Sequence, residues 1–258
     1  MTTTFRDLHH RDTPLLLPNA WDVASALAFL DAGFPAIGTT SFGVAAAGGH
    51  PDAGRSTRQG NLQLARDLTR LPVHVTVDIE DGYDDEPQRV VDFVAELGVA
   101  GINIEDSSSE QLVDPDVHAA KVTAIKRDLP DLFVNARVDT YWLGHDATVA
   151  ATLDRARAYV DAGADGIFVP GATEPDEIRQ LAANIAVPLN VLVVPGLSLD
   201  DLWTLGVRRV STGSLPYRAA ITAAVDVATA VRDGRPVPAA MPYSDMQERL
   251  SQYSRQHG

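Results

Sequence analysis

The chain reads as an α/β protein, a closed (β/α)8 TIM barrel with an extra C-terminal helix, and three observations predict it. Eight short runs rich in Val, Ile and Leu alternate with longer amphipathic stretches between residues 15 and 232. Continuous apolar strands separated by helices imply a parallel sheet covered on both faces, and eight such units match a closed barrel. One junction also recurs, as in Ala32-Gly33-Phe34-Pro35, Leu97-Gly98-Val99-Ala100, Ala162-Gly163-Ala164-Asp165 and Leu205-Gly206-Val207-Arg208. There a helix ends, Gly takes a left-handed position, and a strand follows within two or three residues. Finally, the first apolar run leads into Pro18-Asn19-Ala20-Trp21-Asp22, and no GxGxxG or Walker A motif occurs. An open doubly wound sheet usually has a Gly-rich phosphate loop at that point.

Taken in order, strands are expected at 15–17, 36–39, 73–78, 101–104, 132–136, 166–169, 189–194 and 208–211. Helices are expected over 22–32, 58–70, 86–97, 115–128, 147–162, 174–185, 199–205 and 216–232, with Asp22 capping the first. Asp84, Asp85 and Glu86 precede the third helix and read as solvated or capping acids. No linker divides the chain, so residues 1–258 form one barrel domain. Residues 235–258 make a Pro-rich arm and a last helix, which packs on its own barrel or exchanges with a neighbouring subunit.

Composition narrows the function. The 258 residues carry 21 Lys+Arg against 35 Asp+Glu, a net charge of −14. That balance disfavours nucleic acid and anionic membranes as partners, since both select a positive face. There is no Cys, which excludes disulfides, thiolate metal sites and Cys nucleophiles. A lysine mechanism would have to use Lys121 or Lys126, both within the helix after strand 4 and away from any strand end. No signal-type segment and no run near 18 apolar residues occurs, so a cytoplasmic, non-membrane protein is expected.

In this fold the reacting groups sit at the C-terminal ends of the strands. Strand 3 ends in Asp78-Ile79-Glu80-Asp81-Gly82-Tyr83, and strand 4 in Glu105-Asp106. Asp78 and Glu80 are two apart, so on an extended segment they point the same way. Acids converging on one barrel mouth would repel unless a cation neutralised them, and an all-oxygen set suits Mg2+ or Mn2+. Arg137 follows the apolar run 132–136; a guanidinium there wants an anionic partner, either a substrate carboxylate or a nearby acid. Thr39-Thr40-Ser41-Phe42-Gly43 is a small polar turn whose N–H groups can hold a carboxylate.

The stretches Pro18–Asp22, Thr39–Gly43, Asp78–Tyr83, Gly101–Asp106 and Asn135–Asp139 occur in an order that resembles the isocitrate lyase/phosphoenolpyruvate mutase superfamily. The resemblance implies a barrel that often exchanges its C-terminal helix in a homodimer or homotetramer. It also implies Mg2+ with no organic cofactor, and a small 2-oxo or enolate carboxylate as substrate. By position, Asp78 would ligate the metal, with Glu80 and Glu105 binding directly or through water, and Asp52 nearby. Arg137 would bind the substrate carboxylate, and Thr40, Ser41, Phe42 and Gly43 the pyruvate-like end.

Two departures matter. Lyases of the superfamily carry Lys-Lys-Cys-Gly-His after strand 4, where this chain reads Ser107-Ser108-Ser109-Glu110-Gln111-Leu112-Val113. The mutases' mobile loop with Lys and Asn is likewise missing, and Pro170 stands where a mutase has His after strand 6. The general acid is therefore not identified by motif; Tyr83, His50 beside Asp52, and water are the candidates. His74 at the start of strand 3 and Asn190 in strand 7 read as structural, and His9-His10 as part of a frayed terminus. The expected function is Mg2+-dependent lyase chemistry: retro-aldol cleavage, decarboxylation or hydrolysis of a C–C bond beside a 2-oxo or 2-hydroxy carboxylate. The alternatives are a phosphonomutase or phosphonopyruvate-type P–C bond enzyme and a catalytically silent oxo-acid-binding protein.

Overall fold

The computed structural model describes residues 3–257. The barrel strands are β1 (Leu15–Leu17, resumed at Asn19–Ala20), β2 (Ala36–Thr39), β3 (His74–Asp78), β4 (Gly101–Glu105), β5 (Phe133–Arg137), β6 (Gly166–Phe168), β7 (Leu189–Leu192) and β8 (Arg209–Ser211). All pair in parallel, in chain order. β1 is divided at Pro18, which has no N–H for a ladder. Its first half pairs with β8 and its second with β2, so a single residue joins the two ends of the sheet and the barrel closes.

Asn19 clips that closure. Its Nδ2 donates to Thr39 O at 2.7 Å, while its Oδ1 accepts from Gly213 N at 2.8 Å and Thr212 Oγ1 at 3.2 Å. Gly38 makes room for it, because a Cβ there would lie 2.7 Å from Asn19 Nδ2. The repeated junction is as expected, since Gly33, Gly98, Gly163 and Gly206 all have positive φ. Asp22 caps helix Val23–Asp31, accepting from Ser25 N at 2.7 Å.

The structure adds three short helices, Phe5–Leu8, Ser41–Ala47 and Thr140–Leu143, to those expected. Their sequences lack the apolar period that marks a longer helix. The N-terminus is also more ordered than a frayed end. Helix Phe5–Leu8 plugs the bottom of the barrel, and Phe5 and Leu8 pack with Leu15, Leu17, Ala36 and Phe133. His9 is buried there, stacked on Phe133 at 4.1 Å with Nδ1 2.9 Å from Phe5 O. Burial, with Arg209 adding to it, pushes the His9 pKa down to about 3.

The inner layer beneath the mouth is polar. Arg209 is fully buried, with Nη2 3.0 Å from Asn103 Oδ1 and Nε 3.1 Å from Ser211 Oγ. Asn135 bridges Asn103 and Asn190. Burial brings the Arg209 pKa down to about 9, against the pull of Asp78. The C-terminal helix Tyr243–His257 lies on its own barrel, through Arg249 Nε to Asp31 Oδ2 at 2.6 Å and Tyr253 OH to Asp67 O at 3.0 Å. Among the described residues, no helix is long and apolar enough to cross a membrane.

Candidate active site

A cavity of about 340 Å³ opens at the C-terminal ends of the strands. Asp52, Asp78, Arg137 and the segment Thr39–Phe42 line one part of it; Trp142, Phe168, Pro170 and Leu192 form an apolar part. The strand-end loops thus bring Asp78, Arg137 and the Thr40-Ser41-Phe42 segment together.

Asp78 closes β3. Its Oδ2 accepts from Ser41 Oγ at 2.8 Å and Ser41 N at 3.3 Å, and its Oδ1 accepts no hydrogen bond among the described residues. Burial pushes its carboxyl up, Arg137 and Ser41 pull it down, and Asp52 pushes it up again. The Thr40–Gly43 segment is the start of a helix rather than an open turn. Ser41 N is spent on Asp78 and Gly43 N on Thr40 Oγ1 at 3.3 Å, and the Phe42 N–H has no hydrogen-bond partner among the described residues.

Arg137 stands beside Glu105 in the β4–β5 register, and Nη1 meets Glu105 Oε2 at 2.8 Å. Its Nε meets Asp139 Oδ1 at 2.5 Å, and its Nη2 donates no hydrogen bond among the described residues. Burial opposes the charge, but Asp139, Glu105 and Asp78 overcome it and keep the guanidinium protonated. Of the two partners expected for Arg137, the structure shows the nearby acids, Glu105 and Asp139. Burial holds Glu105 well above the usual carboxylate range despite Arg137, with Asp139, Asp78 and Asp52 adding to the rise.

Behind this pair lies a layer that sequence reasoning missed. Asp106, fully buried, accepts from Asp139 N at 2.8 Å, Tyr159 OH at 2.6 Å and Arg155 Nη1 at 3.0 Å. Ser107 Oγ donates to Asp139 Oδ2 at 2.5 Å. Motif order marked the Glu105-Asp106 and Arg137–Asp139 segments, but only cross-strand pairing shows that one supports the other.

Other expected residues fall elsewhere. The strand stops at Asp78, and Glu80 takes a left-handed φ of 49°, so the two carboxylates do not point the same way. Glu80 instead accepts from Arg55 N at 2.8 Å and from Thr57 Oγ1. Burial raises its carboxyl. Tyr83 is buried off the cavity, its hydroxyl 2.8 Å from Thr57 Oγ1 and accepting from Asn61 Nδ2 at 2.6 Å. Burial raises its pKa well above the ordinary tyrosine value. His50 is exposed and does not line the cavity. Arg218, Ser214 and Trp142 do line it, and none was singled out by motif.

Among the described residues, no three acids converge at metal-ligand spacing. The carboxylates that do face the cavity, Asp78 and Asp52, would be the groups to hold one hard cation, whereas Glu80 is bonded to Arg55 and Thr57 and Glu105 is paired with Arg137. Mg2+ commonly binds through one or two carboxylates and retains several waters.

A sequence profile of the phosphoenolpyruvate phosphomutase family matches residues 5–232. An uncharacterised protein of Mycobacterium tuberculosis is 58% identical over 250 residues, covering 97% of each chain. Oxaloacetate decarboxylase of Pseudomonas fluorescens is 31% identical over 247 residues, covering 89% of this chain and 84% of its own. The crystal structure of a phosphonopyruvate hydrolase with oxalate and Mg2+ superposes with a TM-score of 0.83 at 26% identity, covering 97% of this chain and 94% of that one. The chain belongs to the isocitrate lyase/phosphoenolpyruvate mutase superfamily.

Proposed function

We propose that the protein is a Mg2+-dependent lyase that cleaves a C–C bond next to the carboxylate of a small 2-oxo or 2-hydroxy acid. The observation that carries this reading is one cavity shared by a Ser41-held Asp78 and an acid-anchored Arg137 whose Nη2 donates no hydrogen bond among the described residues. When bound, Mg2+ supplies a Lewis acid that polarises the oxygen beside the carboxylate. Arg137 Nη2 binds the substrate carboxylate, while Glu105 and Asp139 fix the plane of the guanidinium and keep it charged. The Phe42 N–H adds a neutral donor. Phe168 and Leu192 take the carbon skeleton and exclude water, which strengthens each polar contact inside.

The ionisable groups on the cavity wall are Asp52, Asp78, Arg137 and Arg218. Neither Tyr83 nor His50 lines the cavity, so the proton is assigned to water. That favours decarboxylation or retro-aldol cleavage, which leave an enolate needing one proton. The oxaloacetate decarboxylase relative and the oxalate-bound hydrolase support the same class of ligand. A homo-oligomer belongs to this reading, since Ile221, Val225 and Val231 on helix Leu215–Arg232 are exposed in the single chain.

Calorimetric titration with oxalate tests the proposal. Binding is expected only with Mg2+ present, to be lost in Asp78→Asn, and to weaken about a hundredfold in Arg137→Met. Equal binding with and without the ion, or in both variants, overturns it.

A further inference from the structure

The polar layer under the cavity fixes one amide in a single orientation. Asn190 Nδ2 donates to two main-chain oxygens, Val191 O at 2.8 Å and Arg209 O at 3.2 Å, and these can only accept. Asn190 Oδ1 is therefore the acceptor for Asn135 Nδ2 at 3.0 Å, and the same Asn135 Nδ2 reaches Asn103 Oδ1 at 3.0 Å. Arg209 Nη2 arrives at that Oδ1 independently, also at 3.0 Å, and a guanidinium only donates. Two separate donors thus require an oxygen at this position of Asn103. Turning the amide over would set its NH2 against both.

The other end of the amide is left for the cavity. Asn103 is one of the residues that line it. Its Nδ2 donates no hydrogen bond among the described residues, yet it is not among the side-chain atoms sealed inside the protein without a partner. That N–H donor therefore opens into the cavity. Asn103 stands opposite Asp78 in the β3–β4 register, and two residues before Glu105, which stands opposite Arg137. Residues two apart on a strand share a face, so Asn103 lies one layer below the Glu105–Arg137 pair. It is the floor residue on β4, the strand between those that end in Asp78 and Arg137.

We infer that Asn103 is a further substrate-binding residue, whose Nδ2 donates to an oxygen of the carboxylate and adjacent oxo or hydroxy group of the bound acid. The inference deepens the proposed function and rests on it, because Asp78 and Arg137 must bring that end of the substrate to the floor. A neutral donor suits this place. Beside Asp78 and Glu105 an acceptor would repel an anionic ligand, whereas an N–H already held in orientation needs no rearrangement as charge grows on the substrate oxygen during cleavage. Asn190, Asn135 and Arg209 supply that orientation from beneath, without touching the ligand.

Nitrogen-15 NMR and calorimetry on the full chain in MgCl2, with oxalate as the probe, test the inference together. Asn103→Ser removes Nδ2 without adding charge, and the side-chain NH2 signals missing from its spectrum are those of Asn103. In the wild type these signals are expected to move downfield in the proton dimension when oxalate joins Mg2+, beyond any shift with Mg2+ alone. Asn103→Ser, checked for folding by its melting curve, is expected to bind oxalate more weakly by at least about fivefold. Should that variant not fold, Asn103→Asp, which keeps the acceptor for Arg209 and Asn135, replaces it in both measurements. Unmoved signals, or a smaller loss of affinity, overturn the inference and leave the proposed function standing. A wild-type chain that fails to bind oxalate with Mg2+ overturns both.

Discussion

Asp139 Oδ1 lies 2.5 Å from Arg137 Nε, and the backbone N–H of the same Asp139 is held by the fully buried Asp106. Arg137 is thus supported two layers deep. Asp139→Asn keeps the shape and removes the charge. It is expected to cost about 2 kcal/mol of stability in urea unfolding and to weaken oxalate binding several-fold. Unaltered affinity in a folded variant would show that Glu105 alone positions Arg137.

Ser41 pulls the Asp78 carboxyl down against burial. Ser41→Ala removes the hydroxyl donor, so the Asp78 pKa should rise further. Because the ionised carboxylate is the binding form, Mg2+-dependent oxalate affinity in this variant should begin to fall at a higher pH as the solution is acidified. Titrations between about pH 4 and 8 read this directly, and a superimposable acid limb refutes it.

Tyr83 has two hydroxyl partners, Thr57 and Asn61, and no face on the cavity. Tyr83→Phe is therefore expected to lower stability by about 1 kcal/mol and to leave turnover within about threefold of wild type. A loss of two orders of magnitude in kcat with an unchanged melting curve would restore it as a proton donor.

His9 makes stability depend on pH. Its folded pKa is depressed to about 3 by burial and Arg209, so between that value and the ordinary histidine value near 6.5 the unfolded chain binds a proton that the folded chain does not. Its contribution to stability is complete above about pH 6.5 and falls away as the pH drops, by up to about 1.4 kcal/mol per pH unit. Replacing the ring by His9→Phe, which can still stack on Phe133, should make the urea midpoint less steep across that window, the buried His118, whose pKa burial also lowers to about 3, keeping the rest of the slope. An identical slope in both proteins would remove His9 from the account.

Legibility differed by level. The strands could be read because apolar runs and Gly junctions repeat with a period that depends only on neighbours in the chain. Asp78 could be read because an apolar run leads straight into it. Glu80 could not, because the two-residue rule holds only while the strand continues, and its φ of 49° breaks it. Arg218 looked like any helix-surface arginine, since nothing local states that its turn is pinned at the barrel mouth. His9 looked frayed because the sequence does not show which aromatic rings await it.

By itself, the sequence determined the eightfold alternation, the order of polar strand ends around one rim, and the chemistry gathered there: oxygens, guanidiniums and no thiol. Tertiary structure decided which of those groups reach the cavity, through the closure at Asn19, the β4–β5 register and the backbone turn after Asp78. The physical reason is that burial periodicity is a property of consecutive residues. The direction of a side chain beyond a strand end depends on a few dihedrals, which distant partners such as Arg55, Thr57 and Asp106 hold in place.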